Sequence, residues 1–147
     1  MWFFNHCMKP FEIMEHTADV RLRVQGKGME EFFTNAVAGL YVLLIAQDTV
    51  PEVYETWGQE IPFHVSSKNR ETLLVDFLNE ALFIAQTKRK VPVCAVFEYI
   101  TNTHAKGSFI SDAHVLIQKD VKAVTYHDLK IITNKEGELE VVLTFDI

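Results

Sequence analysis

The residues best suited to chemistry stand at opposite ends of this 147-residue chain. One is Asp19, in the run His16-Thr17-Ala18-Asp19-Val20. The other is Asp146, in the closing run Thr144-Phe145-Asp146-Ile147, where the Ile147 α-carboxylate follows one residue later. Between them lies Lys122-Ala123-Val124-Thr125-Tyr126-His127, which carries more polar side chains than a plain core strand needs. If the fold joins the two ends, three carboxylates meet. Such hard oxygen donors suit Ca²⁺, Mg²⁺ or Mn²⁺ better than zinc. Three negative charges in one place repel, and a dication relieves that repulsion. Waters would complete the shell, since Ca²⁺ takes roughly six or more ligands.

Read singly, each of these residues has a plainer role. An Asp at the start of a strand commonly bonds nearby N–H groups. A penultimate Asp is commonly solvated, because termini fray. Lys122 alone is a surface lysine. His16 and His127 are candidates for orienting a metal ligand from behind, or are ordinary satisfied polar groups. His64, His104 and His114 lack metal-ligand spacing. Cys7 and Cys94 form neither a zinc pattern nor a disulfide framework, which fits a reduced, cytoplasmic setting. No nucleophile elbow, phosphate loop or dinucleotide fingerprint is present. Tyr126 is expected in the core.

The elements that must position these residues follow from periodicity. Phe11 to Glu15 reads as a strand, and Val20 to Gln25 alternates with Val20, Leu22 and Val24 on one face. Asp19 is then the junction between loop and strand. Helical spacing runs from Met29 to about Ala46, through Phe33, Val37, Leu40 and Leu44. Residues 47–59 read as a loop, and Glu60 to Val65 as a strand. Ser66-Ser67-Lys68-Asn69 offers an N-cap for a second helix to about Thr87, with Leu73, Leu74, Phe77, Leu78, Ala81, Leu82 and Ala85 buried. Lys88-Arg89-Lys90 complements its C-terminal dipole. Strands are expected over Val93–Thr101, Lys106–Gln118 (irregular at Ser111-Asp112), Val121–Thr133 (bent at His127-Asp128) and Glu138–Asp146. In the last, Val141, Leu143 and Phe145 share one face. The expectation is an α+β two-layer sandwich: two one-sided amphipathic helices packed on a mostly antiparallel sheet.

Composition bounds the rest. The chain is 48% hydrophobic with 11 Phe, enough for one core. A net charge of -6 argues against direct sequence-specific nucleic-acid binding. No segment is expected to span a membrane. Met8-Lys9-Pro10 offers a second start, so residues 1–8 are read as an N-terminal extension before a single domain over 9–147.

Four stretches together resemble the archease family: His16-Thr17-Ala18-Asp19-Val20, Leu74-Val75-Asp76-Phe77-Leu78-Asn79-Glu80, Lys122-Ala123-Val124-Thr125-Tyr126-His127 and Phe145-Asp146-Ile147. Their order and spacing extend the resemblance over nearly the whole chain. Two positions depart from it: Arg21 stands where a small residue is common, and Phe77 where many members carry Trp. The resemblance implies a metal-binding accessory protein, with calcium as the first expectation and Mg²⁺ or Mn²⁺ as alternatives. It implies Asp19, Asp146 and Ile147 as ligands and Lys122 as a functional residue facing the partner. The implied partner is the RtcB-type RNA ligase of tRNA splicing, whose guanylylation and multiple turnover such proteins promote. The resemblance assigns the chain no catalysis of its own. A general chaperone or assembly factor and a small metal-dependent hydrolase are the alternatives.

Overall fold

The computed structural model describes residues 10–15, 19–46 and 60–147. The expected extension at 1–8, the loop at 47–59 and His16 fall outside the described residues. The order is β1 (Phe11–Glu15), β2 (Asp19–Gly26), α1 (Gly28–Ile45), β3 (Glu60–Ser66), α2 (Arg70–Lys88), β4 (Val91–Ile100), β5 (His104–Asp112), β6 (Ala123–Thr125), β7 (Ile132–Thr133) and β8 (Leu139–Asp146).

The α+β class and the antiparallel pairing match expectation, but the strands divide into two sheets. The first runs β1-β2-β8-β6, with β7 also on β8; the second runs β3-β5-β4. Each helix contacts strands of both sheets. That placement explains α1. Every residue from Phe32 to Ile45 is buried, because a helix enclosed all round has no solvent face to keep polar. The expected one-sided helix is therefore a core helix. Its 18 residues are also long and apolar enough, by length and composition alone, to cross a membrane, and 78% of them are buried inside the fold. Gly39 lets α1 settle on β2, since a Cβ there would meet Leu22 Cδ2 at 2.7 Å.

Helix α2 starts as its residues dictate. Asn69 Oδ1 accepts from the Thr72 amide at 2.9 Å, and Thr72 Oγ1 accepts from the Asn69 amide at 3.4 Å, a reciprocal cap. All seven residues expected on its inner face are buried. Phe77 centres an aromatic cluster, 5.1 Å from the rings of Phe33, Phe63 and Phe109 and stacked on Phe97 at 5.7 Å. The cluster joins both helices to the second sheet.

Two long strands expected from the sequence are shorter. The one begun at β5 ends at Asp112 and does not reach Gln118. Asp112 Oδ1 accepts from the His114 amide at 2.8 Å, a local bond that turns the chain out of the sheet. Gln118 and Lys119 amides then cover the Leu44 carbonyl at the α1 C-terminus, at 2.8 and 3.1 Å. The strand expected over 121–133 is two pieces, β6 and β7, separated by a turn in which Asp128 takes φ 51°. Both pieces pair with β8.

Asp112 is buried and its Oδ2 accepts from the Tyr41 hydroxyl at 3.1 Å. Burial raises the Tyr41 phenol above its usual pKa, and the Asp112 charge and hydrogen bond add to this. Tyr41→Phe leaves the carboxylate one donor short and should cost about 1–3 kcal/mol in a denaturant titration, the desolvation penalty of an unpaired buried acceptor.

Candidate metal centre

Strand β2 is flanked by β1 and β8. Its alternation puts Val20, Leu22 and Val24 on the core face at 0% exposure and Arg21 and Arg23 outside. On β8, Val141, Leu143 and Phe145 take the core face. The pairing register opposes Val20 to Phe145 and Leu22 to Leu143, and therefore opposes Asp19 to Asp146. On the other edge of β8, Ala123 opposes the same Asp146. Directly opposed residues in an antiparallel pair share a face, with Cα atoms about 4.5–5.5 Å apart. The two ends of the chain thus meet, and the two aspartates project side by side on the outer face.

Asp19 Oδ1 is buried and has no hydrogen-bond partner among the described residues. An acceptor taken from water without a donor is costly, and here it lies beside a second carboxylate. A hard cation satisfies both, so this donor set fits one. No group of three or more His, Cys, Asp or Glu side chains forms a ligand cluster among the described residues. The side-chain share of a site here is the aspartate pair. Further oxygens would come from the Ile147 carboxylate, the main chain or water.

Lys122 sits at the same end. Its amide donates to the Asp146 carbonyl at 2.8 Å, and its side chain is exposed. His127 turns to its neighbour Asp128, Nε2 to Oδ2 at 3.0 Å, with both side chains largely exposed. Tyr126, expected in the core, is 53% exposed. Its hydroxyl donates a short bond to Asp76, which also accepts from Ser67 Oγ. The bond to Asp76 raises the Tyr126 phenol above its usual value, with burial and the carboxylate charge adding to the effect. Burial pushes the Cys94 thiol up to about 11, the wrong direction for a nucleophile.

The support of the Lys122–His127 stretch comes from α2. Gln86 donates to the Val121 carbonyl at 2.8 Å. Asn79 accepts from the Val124 amide at 3.0 Å and donates to its carbonyl at 3.3 Å, as a neighbouring strand would. Asp76 holds Tyr126. Glu71 accepts from the Ile131 amide at 3.1 Å, and Arg70 donates to its carbonyl at 3.2 Å. Periodicity alone assigns none of these residues a supporting role, although Asp76 and Asn79 fall in one of the stretches that carry the resemblance. The signal was the polar set Asp76, Asn79 and Gln86 recurring at three- and seven-residue steps beside an apolar stripe.

The sequence pattern of the Archease protein family matches residues 11–147. A protein archease of Methanothermobacter thermautotrophicus is 30% identical, covering 95% of this chain and 100% of its own. One from Pyrococcus furiosus is 29% identical with the same coverages. The solution structure of protein 1598 of Methanobacterium thermoautotrophicum superposes with a TM-score of 0.70 at 26% identity, over 95% of this chain and all of that one.

Two outcomes test the geometry. Asn79→Leu should speed hydrogen exchange at the Val124 amide and cost about 1–3 kcal/mol, because both Val124 groups lose their side-chain partner. Calcium at about a hundredfold excess over its dissociation constant should stabilise the parent by about 2.7 kcal/mol. Asp19→Asn should lose most of that gain in thermal melts, while gaining slightly in chelator from relieved repulsion.

Proposed function

The chain belongs to the archease family, and on that premise we propose that it is a metal-binding accessory protein that activates an RtcB-type tRNA-splicing RNA ligase. One observation carries the reading: β2 and β8 pair in the register that opposes Asp19 to Asp146, with a buried Asp19 oxygen that has no donor among the described residues. Asp19, Asp146 and the Ile147 carboxylate would hold the ion. Calcium is the first expectation from the family resemblance, and its flexible shell accepts carboxylate, main-chain and water oxygens together; Mg²⁺, which usually keeps several waters and binds through one or two carboxylates, and Mn²⁺ share the ligand chemistry. When bound, the ion supplies positive charge that offsets the negative charge of phosphate oxygens.

The chain's own residues do the positioning. The sheet fixes Asp19 and Asp146 on one face, and the Lys122 amide bond to Asp146 ties the lysine to the same corner. The exposed Lys122 side chain faces the ligase and brings a second cation toward its nucleotide during guanylylation. The proposal assigns the chain no reaction of its own and a cytoplasmic location. A hydrolytic alternative would need a base beside the ion. His127 bonds to Asp128, and His16 lies outside the described residues.

The test is guanylylation of limiting ligase with and without this protein, across calcium, magnesium and manganese. Asp146→Ala should reduce stimulation by at least about tenfold, the smaller loss expected when even an outer partner of a metal site is removed. Full stimulation by Asp19→Ala would rule the reading out. Unchanged binding of unrelated client proteins by Asp146→Ala would separate ligase activation from general chaperoning.

A further inference from the structure

Beside the row of acids lies a second row with the opposite chemistry. On the outer face of the first sheet, Arg21 opposes Thr144, and Thr125 opposes the same Thr144 from the other side. Each of the three stands two residues from a member of the row Asp19, Asp146 and Ala123. The core-facing neighbours Val20, Leu22, Leu143, Phe145 and Val124 are all buried, so both rows lie on the opposite face of the sheet, where Arg21 and Asp146 are exposed and the Asp19 Oδ1 and Thr125 hydroxyl oxygens are covered.

Three features of this second row point to a ligand. Arg21 is exposed and forms no ion pair within 4.0 Å among the described residues, although two carboxylates share its face. Arg23, one step further along the same face, does pair, with Glu12 at 3.8 Å. The Thr125 hydroxyl is buried without a hydrogen-bond partner among the described residues. A hydroxyl so placed needs an acceptor. The third observation is chemical: a guanidinium fork and two hydroxyls are donor types that recognise a phosphoryl group, and the dication proposed for the aspartates would add to them.

We propose that Arg21, Thr144 and Thr125 form an anion subsite that binds the oxygens of a phosphate monoester next to the cation held by the aspartates. The proposal rests on the cation reading above, because bare carboxylates would repel the same anion. That dependence has a sign. Cation and phosphate must each strengthen the other's binding, and by the same factor. It also gives Arg21 a purpose: its charge opposes the cation alone and favours the cation–phosphate pair.

The experiment uses the full chain with magnesium and AMP, each followed by calorimetry and by amide chemical shifts. Magnesium should bind the parent, and Arg21→Ser should bind it as well or better. In magnesium, AMP should bind the parent and shift the Thr125 and Thr144 amides, and this binding should vanish in chelator. Arg21→Ser should weaken AMP by about tenfold or more, the usual worth of a hydrogen bond to a charged group. Thr125→Val, which preserves shape, should weaken it less; Arg23→Ser should leave it unchanged. If magnesium binds but AMP does not, or AMP binds equally to Arg21→Ser, the subsite is refuted and the cation reading survives. If magnesium fails to bind, the same titrations are read in calcium; if neither ion binds, the cation reading falls and the subsite with it.

Discussion

The pairing of β2 with β8 in one register is the constraint on which the rest of the molecule depends. It opposes two aspartates, and like charges set directly opposite across a ladder cost roughly 0.2–1 kcal/mol. The same register buries Val20, Leu22 and Val24 against Phe145, Leu143 and Val141. Each such side chain contributes about 1.5–3 kcal/mol when fully buried. The core face therefore wins easily, and the acids are held together against their repulsion. A slip of one residue would turn every one of these side chains to the wrong face. The closeness of α1 adds to this, since Gly39 admits Leu22 where a larger residue could not fit.

The second support is the polar edge of α2. Strand β6 is three residues long, too short to hold its place by ladder bonds to β8 alone. Asn79 supplies the bonds that a further strand would have made, and Asp76, Gln86, Glu71 and Arg70 extend that hold along the chain. Two of the stretches that resemble the family are thus parts of one device. The helical one carries the residues that seat the one beginning at Lys122, and Lys122 in turn bonds to Asp146. Asp76 and Asn79 therefore have a structural reason to be there.

Local pattern carried much of this. The alternation in Val20–Gln25 and Val141–Phe145 identified the core faces, and with them the outward side of Asp19 and Asp146. The capping residues of α2 and its inner stripe were equally readable. Periodicity misjudged α1, because a stripe of apolar residues does not reveal that a second sheet covers the opposite side. It also overran β5 and merged β6 with β7. Asp112 and Asp128 end those strands through local side-chain bonding and positive φ, signals weaker than the hydrophobic pattern around them. The Tyr126 ring alone argues for the core, whereas its hydroxyl meets a carboxylate 50 residues away.

By itself the sequence determined which residues are acidic, which faces are apolar and where helices begin, because those depend on neighbours a few positions away. Only the tertiary structure decided that residues 19 and 146 are opposite one another, that a basic and hydroxylic row adjoins them, and that a helix serves as the missing strand beside β6. Those facts are long-range pairings. They arise when two apolar faces far apart in the chain close over the same helix, and no local pattern records which partner each face will find.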